Sequence, residues 1–412
     1  MIFIKARRQG GEPRRLPECP PSAMSRKTAC SNLPERHVDH KGETGGGAAE
    51  APAESLAAPR PLLRSGARSG AHAARFGMPG GRDPRYAALD LGTNNCRLLI
   101  ARPDGDSFRV VDAFSRIVRL GEGIATTGRI SDGAMERTLE ALAVCRRKIE
   151  ERNVARVRLV TTEACRVARN GAAFLARVRE ELGLELEVLD RRSEALLAAA
   201  GCSALAHKQA GSVVLFDIGG GSTELVWLSL REKAAAPGEP GIASRVRAWA
   251  SLPVGVVTLA ERHGGMDVTR ETFEAMVDET LAALADFAEA ARPAIASPGF
   301  HLLGTSGTVT TLGGLHLGLE KYDRRRVDGL WMRKGEVDTA IGNLIDMPYA
   351  ARAANGCIGR DRADLVIAGA AIFEAIRRAF PSETLRIGDR GLREGMLIEM
   401  MRADGMLKRP PR

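Results

Sequence analysis

Residues 86–114 alternate short apolar blocks with turn residues. YAALDLGTNNCRLLIARPDGDSFRVVDAF reads as strand, glycine turn, strand, Asp-Gly turn, strand. SVVLFDIGGGSTELVWLSL, residues 212–230, repeats the pattern, and RVRAWASLPVG supplies a further strand after a Pro/Gly/Ala-rich loop at 232–244. In both copies an apolar run ends in Asp, an aliphatic residue and Gly: Asp90-Leu91-Gly92 and Asp217-Ile218-Gly219. The copies lie 127 residues apart. A period of that size is a duplicated domain rather than a solenoid of short repeats.

The helical period fills the gaps. Ser131 caps a helix whose Met135, Leu139, Leu142 and Ile149 share a face. VRLVTT at 157–162 and LELEVL at 184–189 read as strands. Helices are expected at 171–182, ending near Gly183, and over SEALLAAAGCSAL. Thr269 caps a long helix to about Ala291. FHLLGTSGT is a strand entering a glycine turn, with a helix behind it. Residues 361–380 form another helix, and LRIGDRGLREGMLIEMM closes as strand, loop and helix. Strands alternating with helices give an α/β class with mixed sheets.

Composition changes the picture only at the ends. The 412 residues exceed one compact core, so two domains are the default. The net charge of +9 tempts a nucleic-acid reading, but residues 1–82 carry 14 Lys and Arg against 7 Asp and Glu, and the remainder 46 against 44. The basicity belongs mostly to a Pro/Gly/Ala/Ser/Arg-rich extension read as disordered, for which Met78 is an alternative start. Seven cysteines show no CxxC pair and no zinc spacing, which fits a reduced, cytoplasmic protein. No apolar run approaches a membrane span. Neither a specific nucleic acid nor a membrane is an expected partner.

The glycine turns carry the candidate chemistry. Backbone N–H groups in such turns bind anionic oxygens, because glycine lets the main chain come close. The aspartates cannot bind phosphate directly; Asp90 and Asp217 can hold Mg2+ or orient a nucleophile. Thr93-Asn94 and Ser222-Thr223-Glu224 follow the two turns. Glu224 sits in an otherwise apolar return strand, where a carboxylate needs a partner or a metal. GTSGT, residues 304–308, is a third strand-to-helix glycine turn. Arg166 and Asn170 follow the strand at 157–162, where α/β loops carry ligands.

ALDLGTNNCRLLI, RLGEGIATTGRIS, TTEACRVARNG, the SEA of LDRRSEALLA, FDIGGGSTEL, LGTSGT, RADLVIAGA and DRGLREG occur in the order of the motifs of the exopolyphosphatase / guanosine pentaphosphate phosphohydrolase (Ppx/GppA) family. The chain resembles that family over about residues 83–405, in a short form without the C-terminal HD-type region. The resemblance implies two actin-like (ribonuclease H-like) domains around a cleft: domain I at 83–206 and domain II at 207–390. Residues 391–412 would be a helix packing back on domain I, then a short tail. It implies Mg2+-dependent attack of water on a terminal phosphoanhydride of polyphosphate or guanosine pentaphosphate (pppGpp). Mn2+ is the alternative metal and K+ a further candidate ion. The family's base falls on Glu194. Asp217 and Glu224, with Asp90, match carboxylates near the metal. Gly92, Thr93, Asn94, Arg166, Gly219, Gly220, Gly221, Ser222, Thr223, Gly304, Thr305, Ser306, Gly307 and Thr308 match phosphate-contacting positions, and Asn170 joins them as a candidate. A homodimer is the family's implied assembly.

One departure stands out. Family members often read Ser-Gly-x-Glu-Glu-Ala before the helix; this chain reads Asp190-Arg191-Arg192-Ser193-Glu194-Ala195. Arg191 and Arg192 either grip a polyanion or alter the loop. Arg324, Arg325 and Arg326 are candidates to extend such a path. The competing readings are a kinase of the same superfamily and a catalytically weak (p)ppGpp-binding regulator.

Overall fold

The computed structural model describes residues 84–231 and 242–407. The extension at 1–82, and residues 232–241 of the expected loop, lie outside the described residues. The first hairpin block forms β1 (Tyr86–Leu91), β2 (Asn95–Asp104) and β3 (Ser107–Ile117). Then come α1 (Ile124–Thr127), α2 (Asp132–Glu151), β4 (Arg156–Thr161), α3 (Glu163–Val167), α4 (Gly171–Leu182), β5 (Glu187–Val188) and α5 (Arg191–Cys202). The second block gives β6 (Ser212–Ile218), β7 (Thr223–Ser229) and β8 (Val246–Leu252), followed by α6 (Val256–His263), α7 (Arg270–Ala291), β9 (His301–Thr305) and α8 (Ser306–His316). The chain ends with α9 (Arg324–Val327), β10 (Trp331–Arg333), α10 (Lys334–Asp346), α11 (Tyr349–Ala354), α12 (Val366–Ala379), β11 (Thr384–Gly388) and α13 (Leu392–Ala403).

The two sheets repeat one topology. The first runs β3-β2-β1-β4-β5, and the second runs β8-β7-β6-β9-β11 with β10 added at the edge. In each, three antiparallel strands are followed by parallel ones. The α/β class with two mixed sheets is therefore as expected. Caps fall where the sequence puts them: the Ser131 hydroxyl accepts from Ala134 N–H, the Thr269 hydroxyl accepts from Thr272 N–H, and Gly183 ends α4 in the left-handed region at φ 63°. Two elements are shorter than expected. The 184–189 strand pairs only at Glu187–Val188, and the 361–380 helix starts at Val366 because residues 360–364 are used across the cleft.

Strand parity decides which side chains meet. Ala87, Leu89 and Leu91 pack under α2 and α4, whereas Tyr86 and Ala88 face Met396, Leu397 and Met400 of α13. On the second sheet Val214, Phe216 and Ile218 face α7 and α12, and Val213 and Leu215 face Ala195, Ala199 and Cys202 of α5. By the same alternation Asp90 and Asp217 both point into the α5–α13 layer between the sheets. These helices cross at glycines. A Cβ on Gly395 would lie 2.0 Å from the Leu197 carbonyl oxygen, and one on Gly201 2.1 Å from that of Gly391. We expect Gly395→Ala to push the helices apart and destabilise the fold by about 1–3 kcal/mol, read as a lower thermal midpoint; an unchanged midpoint would mean the contact is not tight. Among the described residues no helix is long and apolar enough to cross a membrane.

Candidate active site

The β1–β2 and β6–β7 turns meet head-on. None of Gly219, Gly220 and Gly221 has positive φ, so their freedom of rotation is not what the fold uses. It uses their lack of side chain. A Cβ on Gly220 would sit 3.0 Å from Thr93 Cβ and 3.1 Å from Asn94 N. One on Gly221 would be 2.8 Å from Thr93 Oγ1 and 3.2 Å from Glu163 Cγ. The opposing Gly255 fits against the Gly220 backbone in the same way, at 2.4 Å. Across the same cleft Arg119 makes a bidentate pair with Asp364, at 2.9 and 3.0 Å, and Gly123 N–H donates to Glu261 at 2.7 Å.

Between the turns lies a cavity of about 130 Å³, lined by Asp90, Asp217, Glu194 and Glu224 together with both glycine turns. It shares Asp90, Arg97, Asp217 and Arg362 with a second cavity of about 340 Å³, which also carries Arg360, Arg390 and Arg393 together with Asp361, Asp389 and Glu394. The first turns of α8 (Ser306, Gly307, Thr308), α6 (Val256) and α12 (Val366) also reach the smaller cavity. Helix first turns leave N–H groups without intrahelical partners, which favours anions. Ser306 holds a left-handed φ of 82°, and its hydroxyl donates to Ile218 O at 2.7 Å, tying the third glycine turn to the second.

Burial dominates the electrostatics. Asp217 is pushed up to about 6 by burial, with Asp90 adding to the rise and Arg97 opposing it. Glu224 reaches about 7 through burial and the Asp217 charge, against hydrogen bonds from Ser222 and Ser251, the latter at 2.9 Å. Burial, then Glu224, lifts Glu194 well above the carboxylate range, with Arg166 opposing. Asp90 is also raised by burial. Burial pulls Arg393 down. Burial raises all four carboxylates, and Asp90 adds to the rise of Asp217, Asp217 to that of Glu224 and Glu224 to that of Glu194; a further positive charge among them would favour their ionised forms.

The donor set suits a hard cation. All these side chains offer oxygen, and the amide oxygens of Asn94 and Asn95 are buried without a donor. A phosphate brings only acceptor oxygens and cannot satisfy them; a cation, or water on it, can. Among the described residues no three Asp, Glu, His or Cys side chains converge as a ready-made cage. An ion here would complete its shell with water and phosphate, the usual habit of Mg2+.

Several of the expected site residues make protein contacts of their own. Arg166 does not line the cavity. One guanidinium nitrogen donates to Glu163 Oε2 at 2.9 Å and the other to Glu194 Oε2 at 2.6 Å, while its Nε is buried without a partner. Asn170 spends both ends of its amide on the Ile130 backbone, so it braces a loop. Thr223 donates to Val254 O and is fully buried. Gly304 is a packing position: a Cβ there would strike the Phe216 ring at 2.5 Å. Thr305 lines the larger cavity, and its hydroxyl donates to the Arg390 carbonyl, anchoring the loop before α13. Arg324 is held by Asp389 and Glu394 and Arg191 by Glu163, so neither is committed to a polyanion. Arg192, Arg325 and Arg326 are exposed and away from both cavities. Gly92, Thr93, Asn94, Gly219, Gly220, Gly221, Ser222, Ser306, Gly307 and Thr308 do line the smaller cavity, with the four carboxylates.

The sequence reading did not single out Arg97, Arg362, Arg393 or Glu163. Arg97 was findable. Asp90 pairs with Arg97 across its hairpin as Asp217 pairs with Glu224 across the other, so the duplicated register puts a cation where the copy has an anion.

Comparison with known proteins agrees with this architecture. The profile of the Ppx/GppA phosphatase family matches residues 99–404. A guanosine-5'-triphosphate,3'-diphosphate pyrophosphatase of Photobacterium profundum is 29% identical over 330 residues, covering 77% of this chain and 59% of its own. Exopolyphosphatase 2 of Mycobacterium tuberculosis is 29% identical over 337 residues, covering 77% and 98%. The chain thus spans about three fifths of the pyrophosphatases it matches and nearly all of the mycobacterial protein. The solved Aquifex aeolicus PPX-GPPA enzyme is 30% identical, with a TM-score of 0.62 over 77% of this chain and 99% of that one. With a family profile spanning both sheets and a matching fold, the chain belongs to the Ppx/GppA phosphatase family.

Proposed function

We propose that the protein is a phosphohydrolase that removes the terminal phosphate of inorganic polyphosphate or guanosine pentaphosphate. The observation that carries this is Glu194: a largely enclosed carboxylate, oriented by Arg166, at the wall of a cleft made by two glycine-rich turns. Phosphoryl transfer asks a protein for in-line positioning, charge neutralisation and an oriented water. Glu194 accepts the water's proton as its oxygen bonds to phosphorus and the phosphoanhydride oxygen leaves. Burial, then the Glu224 charge, raise the affinity of Glu194 for a proton, which is the direction a base requires. Arg166 fixes the carboxylate's direction. Backbone N–H groups of the turns and of the α8 first turn hold the phosphate oxygens. Mg2+ or Mn2+, held by Asp217, Glu224 and Asp90 with the amide oxygens, would supply the Lewis acid. Arg97, Arg360, Arg362 and Arg393, which line the larger cavity among several carboxylates, are the cations available to the rest of the polyanion.

Orthophosphate release by the full chain, from long-chain polyphosphate and from pppGpp in parallel, tests the reading. With Mg2+ we expect release from at least one of the two, falling to background in EDTA. No release from either substrate would overturn it, and tight pppGpp binding in that case would point to a regulator.

A further inference from the structure

The departure at Arg191 finds no explanation in its own helix. Arg191 is the first residue of α5, where the helix dipole disfavours a cation. Asp190 already caps that end, its carboxylate accepting from Ser193 N–H at 2.9 Å. Nor does Arg191 line either cavity. Its guanidinium instead reaches Glu163 Oε1 at 2.9 Å. The other oxygen of Glu163 accepts from Arg166 at 2.9 Å, and Arg166 holds Glu194 at 2.6 Å. The result is a chain of alternating charge: Arg191, Glu163, Arg166, Glu194.

We propose that Arg191 positions the base: by taking one oxygen of Glu163 it lets Arg166 serve Glu163 with a single nitrogen and hold Glu194 with the other. The proposal rests on Glu194 being that base. Glu163 is the pivot. Its side chain is 8% exposed, so its charge must be matched, and its Cγ lies beneath Gly221, which fixes it in place. With Arg191 gone, Glu163 has Arg166 alone. Two buried carboxylates then compete for one guanidinium, and Glu194 loses its orientation. A positioning residue of this kind acts on the chemical step and not on substrate capture.

The test compares full-length Arg191→Gln, Arg191→Lys, the double variant Glu163→Gln/Arg191→Gln, and Glu194→Gln, assayed on polyphosphate of one length with thermal melts alongside. Arg191→Gln should lower kcat about tenfold with KM within twofold when assayed well below its own melting midpoint, which the loss of one partner of the buried Glu163 should lower. Arg191→Lys should restore most of kcat. The double variant should turn over faster than Arg191→Gln, because the competing carboxylate is gone. Unchanged kcat in Arg191→Gln would overturn the proposal. So would a raised KM at unchanged kcat, which would mean a direct grip on the polyanion, and so would a double variant slower than the single. Glu194→Gln separates the two levels. If it retains turnover, the assignment of the base fails; if it is dead while Arg191→Gln is normal, only the positioning role fails.

Discussion

Glu194→Gln should lower orthophosphate release by roughly 10²–10⁴-fold while substrate affinity stays within a few-fold of wild type or improves. The substitution changes almost no volume, and the new amide oxygen can still accept from Arg166 at the position of Glu194 Oε2. What it removes is the proton acceptor. It also removes a carboxylate that feels the charge of Glu224 in the cleft. An anionic substrate approaching the neutral amide therefore meets less repulsion. The pair of measurements is turnover under saturating polyphosphate and binding by calorimetry at the same Mg2+ concentration. Near-normal turnover would refute the assignment. Lost turnover together with lost binding would place Glu194 among the groups that hold substrate.

Much of this site is legible in the sequence, and the limit has a physical cause. A glycine turn after an apolar run ending in Asp is a local pattern, so Asp90, Asp217 and their turns can be read one hairpin at a time. The caps at Ser131 and Thr269 are likewise local. The fate of a long cation is not. Arg324 looks like part of a basic surface run, yet its partners Asp389 and Glu394 lie 65 and 70 residues on. Arg166 follows the right strand to meet a phosphate, but Glu163 and Glu194, one on each side, take its two nitrogens. Glu163 itself carries no signal, because its value depends on Arg191 arriving from another element. Of the helices that escape the sequence pattern, the two longest do so for an ordinary reason. In α10, Val337, Ala340, Ile341 and Leu344 do keep a helical period, with Glu336 accepting from Arg333 N–H at its start. Alanine and glycine within it dilute the apolar contrast. In α6 the helix starts at Gly255, which reads as a loop residue until the β6–β7 turn is seen pressing on it.

The three glycines after Asp217 have a double use. A Gly-rich turn can bring N–H groups to a phosphate, and Gly219, Gly220 and Gly221 do line the cavity. Yet the closest atoms to their missing side chains belong to protein, namely Thr93, Asn94, Glu163 and Ser222. The run is thus equally a joint, where the second sheet's turn seats on the first. The same joint packs Glu163 under Gly221, so the geometry of the base is coupled to the closeness of the two turns.

Glu224→Gln should produce the opposite signs in activity and stability: turnover down about 100-fold or more, metal-free stability up at pH 8. Glu224 in the folded protein is raised to about 7 from the ordinary 4.5 by burial and Asp217. Below about pH 4.5 it is protonated whether folded or unfolded and makes no difference. Between about 4.5 and 7 the folded chain keeps a proton that the unfolded chain has released, so stability falls as pH rises. Above about 7 that loss is complete, on the order of 3 kcal/mol. A neutral amide never incurs it and can still accept the Ser251 hydroxyl. The metal-free variant should therefore melt several degrees above wild type at about pH 8 and close to it at about pH 5. Mg2+ reverses the order. An ion on Asp217 and Glu224 favours their charged forms, so saturating Mg2+ should raise the wild-type midpoint by the equivalent of about 2–3 kcal/mol at roughly 100 times its Kd and move the variant's far less. Melting curves at those two pH values, in EDTA and in Mg2+, read every one of these signs. A variant that still responds fully to Mg2+ would remove Glu224 from the metal's neighbours. A variant less stable than wild type at the higher pH without metal would show that Glu224 supports the fold as a charge. The expected pattern, stability gained where catalysis is lost, would show that the buried Glu224 is held against the preference of the fold for the sake of a cation.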